Sequence, residues 1–283
     1  MSWVHIARKD FADAGRSMML WALTGLLILA VAGISVIPYL LASDGTTPGF
    51  EDGVGFLFSP IGLLIPIIGL VVGYQAIVSE RESGSIRFLL GLPNTRRDVV
   101  LGKVIGRTGV VAIPTVIGFL VGAAVIVALY EGFAVVDYLG LLAFSLLMGL
   151  VYVAIAVGIS ASVSSRAKAL AATLGFFVLF DFLWEFVAMA IYWTVEGSLP
   201  GFDGLPAWYL FIVRLSPGQS LSAISLTLID FVGAEDIDLT AAGRVAGEVP
   251  FYLENWFAWV IVTLWIVVPL GIGYVRFKNA VLS

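Results

Sequence analysis

Long apolar runs separated by short polar stretches dominate this chain, and inside the runs there is no strand-like alternation of apolar and polar positions. Runs at roughly 18–42, 58–79, 106–130, 138–162, 169–194 and 256–275 are each long enough to cross about 30 Å of hydrocarbon as a helix. Hydrocarbon leaves every backbone amide to be satisfied within the chain, and the ten-residue alternating segments of a barrel are missing. The pattern therefore predicts six transmembrane helices and an all-α polytopic membrane protein. The first run exceeds the core of a secretory signal and shows no small-residue cleavage site, so it reads as a retained span.

Three polar or mixed stretches change this picture. At the amino terminus, "SWVHIARKDFADAGRS" repeats Trp3, Ala7, Phe11 and Ala14 at helical spacing, with Arg8, Lys9, Asp10, Asp13 and Arg16 mostly elsewhere. That periodicity predicts a helix lying flat in the membrane interface, with His5 as a surface residue rather than a ligand. Residues 206–231, "PAWYLFIVRLSPGQSLSAISLTLIDF", are apolar enough to tempt a seventh span. Crossing there would bury Arg214 beside the helix-breaking "SPG" and put the two carboxyl-terminal cations on the wrong side, so a pair of short helices outside the membrane, interfacial or re-entrant, is expected within a 195–255 loop.

The third stretch, residues 78–103, reads "VSERESGSIRFLLGLPNTRRDVVLGK". The second span runs out in "ERESGS", where Gly84 can bend or break it. Ile86, Leu89 and Leu90 then stand at i, i+3 and i+4, giving a short helix over 85–95 one apolar face with Arg87 near the other. Pro93 and Asn94 turn the chain, and Thr95 with Asp98 three residues on has the pattern of a capping box that starts a new helix at Arg96. A basic loop is what any polytopic protein needs to fix its orientation. An amphipathic helix held between two caps is more than orientation requires, and points to something docked there, a protein partner or anionic lipid headgroups.

Composition agrees with the membrane reading: 60% of the residues are hydrophobic and 12% charged, with a mean hydropathy of +1.04. Charge then sets orientation. Thirteen of the fifteen basic residues fall before the first span, between the second and third, between the fourth and fifth, or after the sixth. The positive-inside rule places that side, with both termini, in the cytoplasm of a prokaryotic cell membrane. The opposite loops are acidic and carry only Arg214 and Arg244. Four lysines against eleven arginines with that acidic exterior would suit a high-salt habitat, or an ordinary acidic surface.

The same inventory excludes chemistry. Without cysteine there is no disulfide, thiolate metal site or thiol nucleophile, and a single histidine builds no cluster. No metal, cofactor or catalytic set can be named, and no nucleic-acid partner is expected. "LGKV" at 101–104 is the chain's Gly-Lys pair, but position 97 is Arg where a phosphate-binding loop needs Gly, and Val104 replaces the hydroxyl that would hold magnesium. Energy must come from a partner or an ion gradient.

Inside the membrane, Asp181 and Glu185 stand i, i+4 in "GFFVLFDFLWEFVAMAIYW". Charge at mid-bilayer costs at least about 2.5 kcal/mol, so both are expected to face protein or water, either as a proton or cation relay or as hydrogen-bonded carboxyls joining helices. Gly69 with Gly73, Gly102 with Gly106, and Gly118 with Gly122 permit close helix packing, at an interface or within one subunit. Pro60, Pro66 and Pro114 fit kinks. No linker or repeat divides the chain, so 1–283 reads as one domain.

Residues 73–107, "GYQAIVSERESGSIRFLLGLPNTRRDVVLGKVIGR", resemble the segment after the second helix in ABC-2 type permeases, the membrane subunits of ATP-driven exporters. "WVHIARKDFADAGRS" before the first span and "RLSPGQSLSAIS" at 214–225 resemble the same family, and its nearest subgroup includes the permease of nitrous-oxide-reductase maturation. The resemblance implies a permease that forms a homodimer, or pairs with a related permease, and binds a cytosolic ABC ATPase subunit. It also implies that residues 85–95, with Ile86, Leu89 and Leu90, are a coupling helix. On that analogy Glu80, Arg81, Glu82 and Gly84 form its hinge to the second span, and Arg96 and Arg97 belong to the coupling surface. The competing expectation is an ion-coupled transporter working through Asp181 and Glu185.

Overall fold

A computed structural model describes residues 3–15, 18–42, 48–86, 95–201, 204–229 and 241–280. Helix α1 covers Trp3–Gly15. Six helices among the described residues are long and apolar enough to cross a membrane: α2 (Leu20–Leu41), α3 (Phe50–Glu82), α4 (Arg96–Leu129), α5 (Val135–Ser162), α6 (Arg166–Glu196) and α9 (Asn255–Asn279). Between α6 and α9 lie α7 (Ala207–Arg214) and α8 (Pro217–Leu228). At 1.5 Å per residue the twelve residues of α8 reach about 18 Å, too short to cross hydrocarbon. The tempting segment at 206–231 is thus a pair of short helices, separated where Ser216 caps α8 by accepting the amide of Gln219.

The chain separates into two compact units, Met1–Thr173 with Ile266–Ser283, and Leu174–Trp265. In the first, α5 is the central helix: 67% of its most apolar stretch is buried, against 6% for α6. Glycines set how closely its neighbours approach. A Cβ on Gly73 of α3 would lie 2.6 Å from Ala156 Cβ on α5, and one on Gly69 would lie 3.0 Å from Tyr152 Cβ. On α4, Gly102 and Gly106 seat α1, whose Ile6 Cβ and Asp10 Cβ would meet the added atoms at 2.7 and 3.0 Å. Gly118 and Gly122 seat α2 through Leu27 and Val31. The three small-residue pairs therefore pack helices of one chain, which settles the choice the sequence left open. Gly158 of α5 and Gly273 of α9 let those two backbones touch, since a Cβ on Gly158 would fall 2.4 Å from the Pro269 carbonyl oxygen.

The buried face of α1 is offset from the one its periodicity predicts. Ile6, Ala7 and Asp10 are buried while Trp3 and His5 are exposed. An acidic residue thus takes a place in the buried face, because its partners there are cations of α4.

In the second unit, Ala188, Leu205, Tyr209, Leu210 and Leu253 form a small core rimmed by Tyr192, Trp208 and Phe211. The indoles of Trp184 and Trp265 donate to the Ile212 and Leu215 carbonyls, at the end of α7, at 2.8 and 2.9 Å. Arg214 is buried there and donates to the Glu254 carbonyl at 2.9 Å and to Asn255 Oδ1 at 3.3 Å. Burial pushes its guanidinium below the ordinary arginine value.

Candidate coupling site

The polar end of α3 is where the fold concentrates its ion pairs. The helix is interrupted at Tyr74–Ile77, and a short piece, Val78–Glu82, continues it. Such a break frees backbone amides inside the protein. Two of them, Ile77 N and Val78 N, donate to the single hydroxyl of Ser160 on α5, at 3.1 and 3.0 Å. The piece ends at Ser83, and Gly84 follows with φ of 74°, the left-handed conformation that closes a helix and that a glycine adopts without strain.

Within this piece each residue of Glu80-Arg81-Glu82 holds a different part of the first unit. Glu80 Oε1 accepts from Lys103 Nζ of α4 at 2.6 Å. Arg81 Nη1 donates to the Val163 carbonyl just past the end of α5 at 2.6 Å. Glu82 pairs with the Arg166 guanidinium at 3.0 Å and accepts the Arg166 amide at 2.7 Å, so one carboxylate both neutralises a charge and caps the start of α6. Three residues at the end of one span therefore grip α4, α5 and α6.

Lys103 extends the network to the amino terminus. Its ammonium is almost fully buried and also donates to Asp10 Oδ1 of α1 at 2.7 Å. Arg107, one turn further along α4, places Nε 2.8 Å from Asp10 Oδ2 and donates from a second nitrogen to Oδ1 at 3.2 Å. Two carboxylates and two cations thus balance in a buried cluster, the condition under which charge is tolerated away from water. Of these groups the sequence singled out Glu80, Arg81 and Glu82; Asp10, Lys103, Arg107, Ser160 and Arg166 it did not mark as their partners. A signal existed for two: Lys103 and Arg107 each follow a glycine at a four-residue interval, which marks a face of α4 that another helix approaches closely.

Beyond Gly84, Ile86 is buried against its own chain. Leu89 and Leu90, and most of the expected coupling helix at 85–95, lie outside the described residues. The chain is described again at Thr95, where the capping box has both its bonds: Thr95 N donates to Asp98 Oδ2 at 2.9 Å, and Asp98 N to Thr95 Oγ1 at 3.2 Å. The two arginines that follow have separate tasks. Arg96 donates to the Phe277, Lys278 and Ala280 carbonyls and lies over the Phe277 ring, closing the end of α9. Arg97 is exposed, 5.6 Å from the Tyr274 ring centroid.

The intramembrane carboxylates are elsewhere, in the second unit. Asp181 falls in a π-helical segment, Val178–Leu183, and Glu185 in the α-helical stretch that follows it. Asp181 is half-buried, whereas Glu185 is exposed and accepts from the Gln219 amide of α8. Among the described residues no three acidic or histidine side chains converge as a metal ion would require.

A helix break with its amides captured and a charged hub joining several spans accompany, among the described residues, six helices of membrane length. The sequence model of the family described as ABC-2 family transporter protein matches residues 4–282. The chain belongs to the ABC-2 transporter family. It is 29% identical over 281 residues to the "Probable ABC transporter permease protein NosY" of Pseudomonas aeruginosa, with 97% of each chain covered. To the protein of the same description from Stutzerimonas stutzeri it is 29% identical over 286 residues, again with 97% of each covered. This ABC-2 protein is accordingly a multi-pass membrane permease component of an ABC transporter, and membership implies an ABC ATPase as its partner.

Proposed function

We propose that this permease works in an ATP-driven exporter, that its basic side and both termini face the cytoplasm, and that residues 78–103 receive the ATPase subunit and pass its movement to the spans. The observation that carries the reading is the triple grip of Glu80, Arg81 and Glu82 on α4, α5 and α6. A push on the loop beyond Gly84 meets this hub before it meets any single helix. Packed interfaces and ion-pair networks transmit such a push as a switch between arrangements rather than a graded bend.

The expected coupling helix at 85–95 completes the device, and Arg97, exposed, follows it in the chain. A second copy of the chain forms the other half of the pathway. The near-complete exposure of α6 in one copy supports this, because a bilayer does not solvate the Glu185 carboxylate on that helix.

The test is stimulation of ATP hydrolysis by the reconstituted permease. A proline at Leu89 is expected to lower stimulation at least tenfold while the variant still inserts and extracts as a folded protein. Normal stimulation by that variant would overturn the coupling role. The ion-coupled alternative is separated by the Asp181→Asn, Glu185→Gln double variant, which on the exporter reading keeps ATP-dependent transport and shows no uptake driven by a pH or sodium gradient alone.

A further inference from the structure

Arg81, Ser162, Val163, Ser164, Lys168 and Arg276 line a cavity of about 320 Å³ in the first unit. Three cations from three helices converge on it, and no carboxylate is among its described lining residues. The nearby acids are committed elsewhere, Glu80 to Lys103 and Glu82 to Arg166. Arg81 spends one nitrogen on the Val163 carbonyl, which holds the guanidinium in place without neutralising it. Lys168 stands in the first turn of α6, the end of a helix dipole where a cation is unfavourable. Glu82 already caps the start of α6, so it is the three cations that call for an anion in the cavity.

Its position says which kind. Ser162 ends α5, Lys168 lies in the first turn of α6 and Arg276 in the last turn of α9, so the cavity lies at the ends of three membrane-length helices. One turn inward from Arg276, on the same face of α9, Ile272 is half exposed, as are Val275 beside it and Leu170 on α6. A basic mouth above exposed apolar flanks fits a ligand with a charged head and hydrocarbon tails.

We propose that this cavity is a site for the phosphate headgroup of an anionic phospholipid, with its acyl chains along the apolar flanks of α6 and α9. The site goes beyond the transport reading, and requires only that these helix ends lie at a membrane surface.

Binding is measured on the full chain purified in detergent, by native mass spectrometry and thermal stabilisation, with phosphatidylglycerol, phosphatidylcholine and inorganic phosphate as probes. The wild type is expected to retain phosphatidylglycerol in preference to phosphatidylcholine and to gain no stabilisation from inorganic phosphate. Removing two cations with K168Q and R276Q is expected to weaken phosphatidylglycerol binding about 30-fold, and Lys278→Gln, at the same helix end but outside the cavity, less than about twofold. Should the double variant fail to fold, each single variant is read instead, at about fivefold. Equal retention of the two lipids, undiminished phosphatidylglycerol binding by the variants, or equal stabilisation by inorganic phosphate would each overturn the proposal. So would loss of ATPase co-purification with lipid binding intact, which would assign these cations to the protein partner. Failure of ATPase coupling in the Leu89 variant leaves the lipid result unaffected, so the two readings fail separately.

Discussion

Replacing Lys103 by Met keeps a straight side chain of similar length and deletes the charge at the centre of the buried cluster. Asp10, with a side chain 6% exposed, then faces Glu80, 22% exposed, with Arg107 as the remaining cation. Breaking a buried pair from one side costs about 3–5 kcal/mol. Arg107 still touches Asp10 and water reaches Glu80, so the lower end, about 3 kcal/mol, is expected here. Most of that strain is relieved if α1 lifts from α4, since α1 is held by Gly102, Gly106 and this cluster. Opening of α1 should therefore become roughly 150-fold more frequent.

The absence of cysteine from the chain makes this measurable without background. Ala7 is buried on the α1 face toward α4, and an Ala7→Cys thiol reacts with a maleimide only when that face opens. The labelling rate of A7C in micelles is compared with that of A7C/K103M, under conditions where closing outpaces labelling. A rate change below about twofold would refute the reasoning. So would failure of E80Q, added to K103M, to restore protection, because Asp10 then keeps Arg107 and no uncompensated charge is left.

The two neighbouring arginines should behave differently. R96Q removes charge-assisted bonds to the end of α9 and is expected to lower stability by about 1.5–3 kcal/mol in thermal unfolding, whereas R97E should leave unfolding unchanged and reduce stimulation of the ATPase. Ser160→Ala leaves two buried amides of the α3 break without an acceptor, at about 1–3 kcal/mol each before relaxation; unfolding in detergent checks the loss, and wild-type stability would show that the break finds another acceptor.

Much of the architecture was legible in sequence order. The six runs, the short pair at 206–231, the break near Gly84 and the Thr95–Asp98 cap are local properties, and each stands where the residues place it. The sequence also marked Glu80, Arg81 and Glu82 as a hinge and paired Arg96 with Arg97, but it could not say what each holds. Asp10 read as a polar residue of an interfacial helix and is instead buried.

Hydropathy is a partition property that each segment carries alone, so the chain by itself determined which stretches enter the membrane, where they stop and which side holds the positive charge. Pairing is not such a property. Lys103 meets Asp10 across 93 residues and Glu80 across 23, Glu82 meets Arg166 across 84, and Arg81 reaches Val163 across 82. Tertiary structure decided these, because burying an ion requires its counter-ion within hydrogen-bond reach, and only the close approach of α1, α3, α5 and α4 over their glycines and Ser160 brings the partners there.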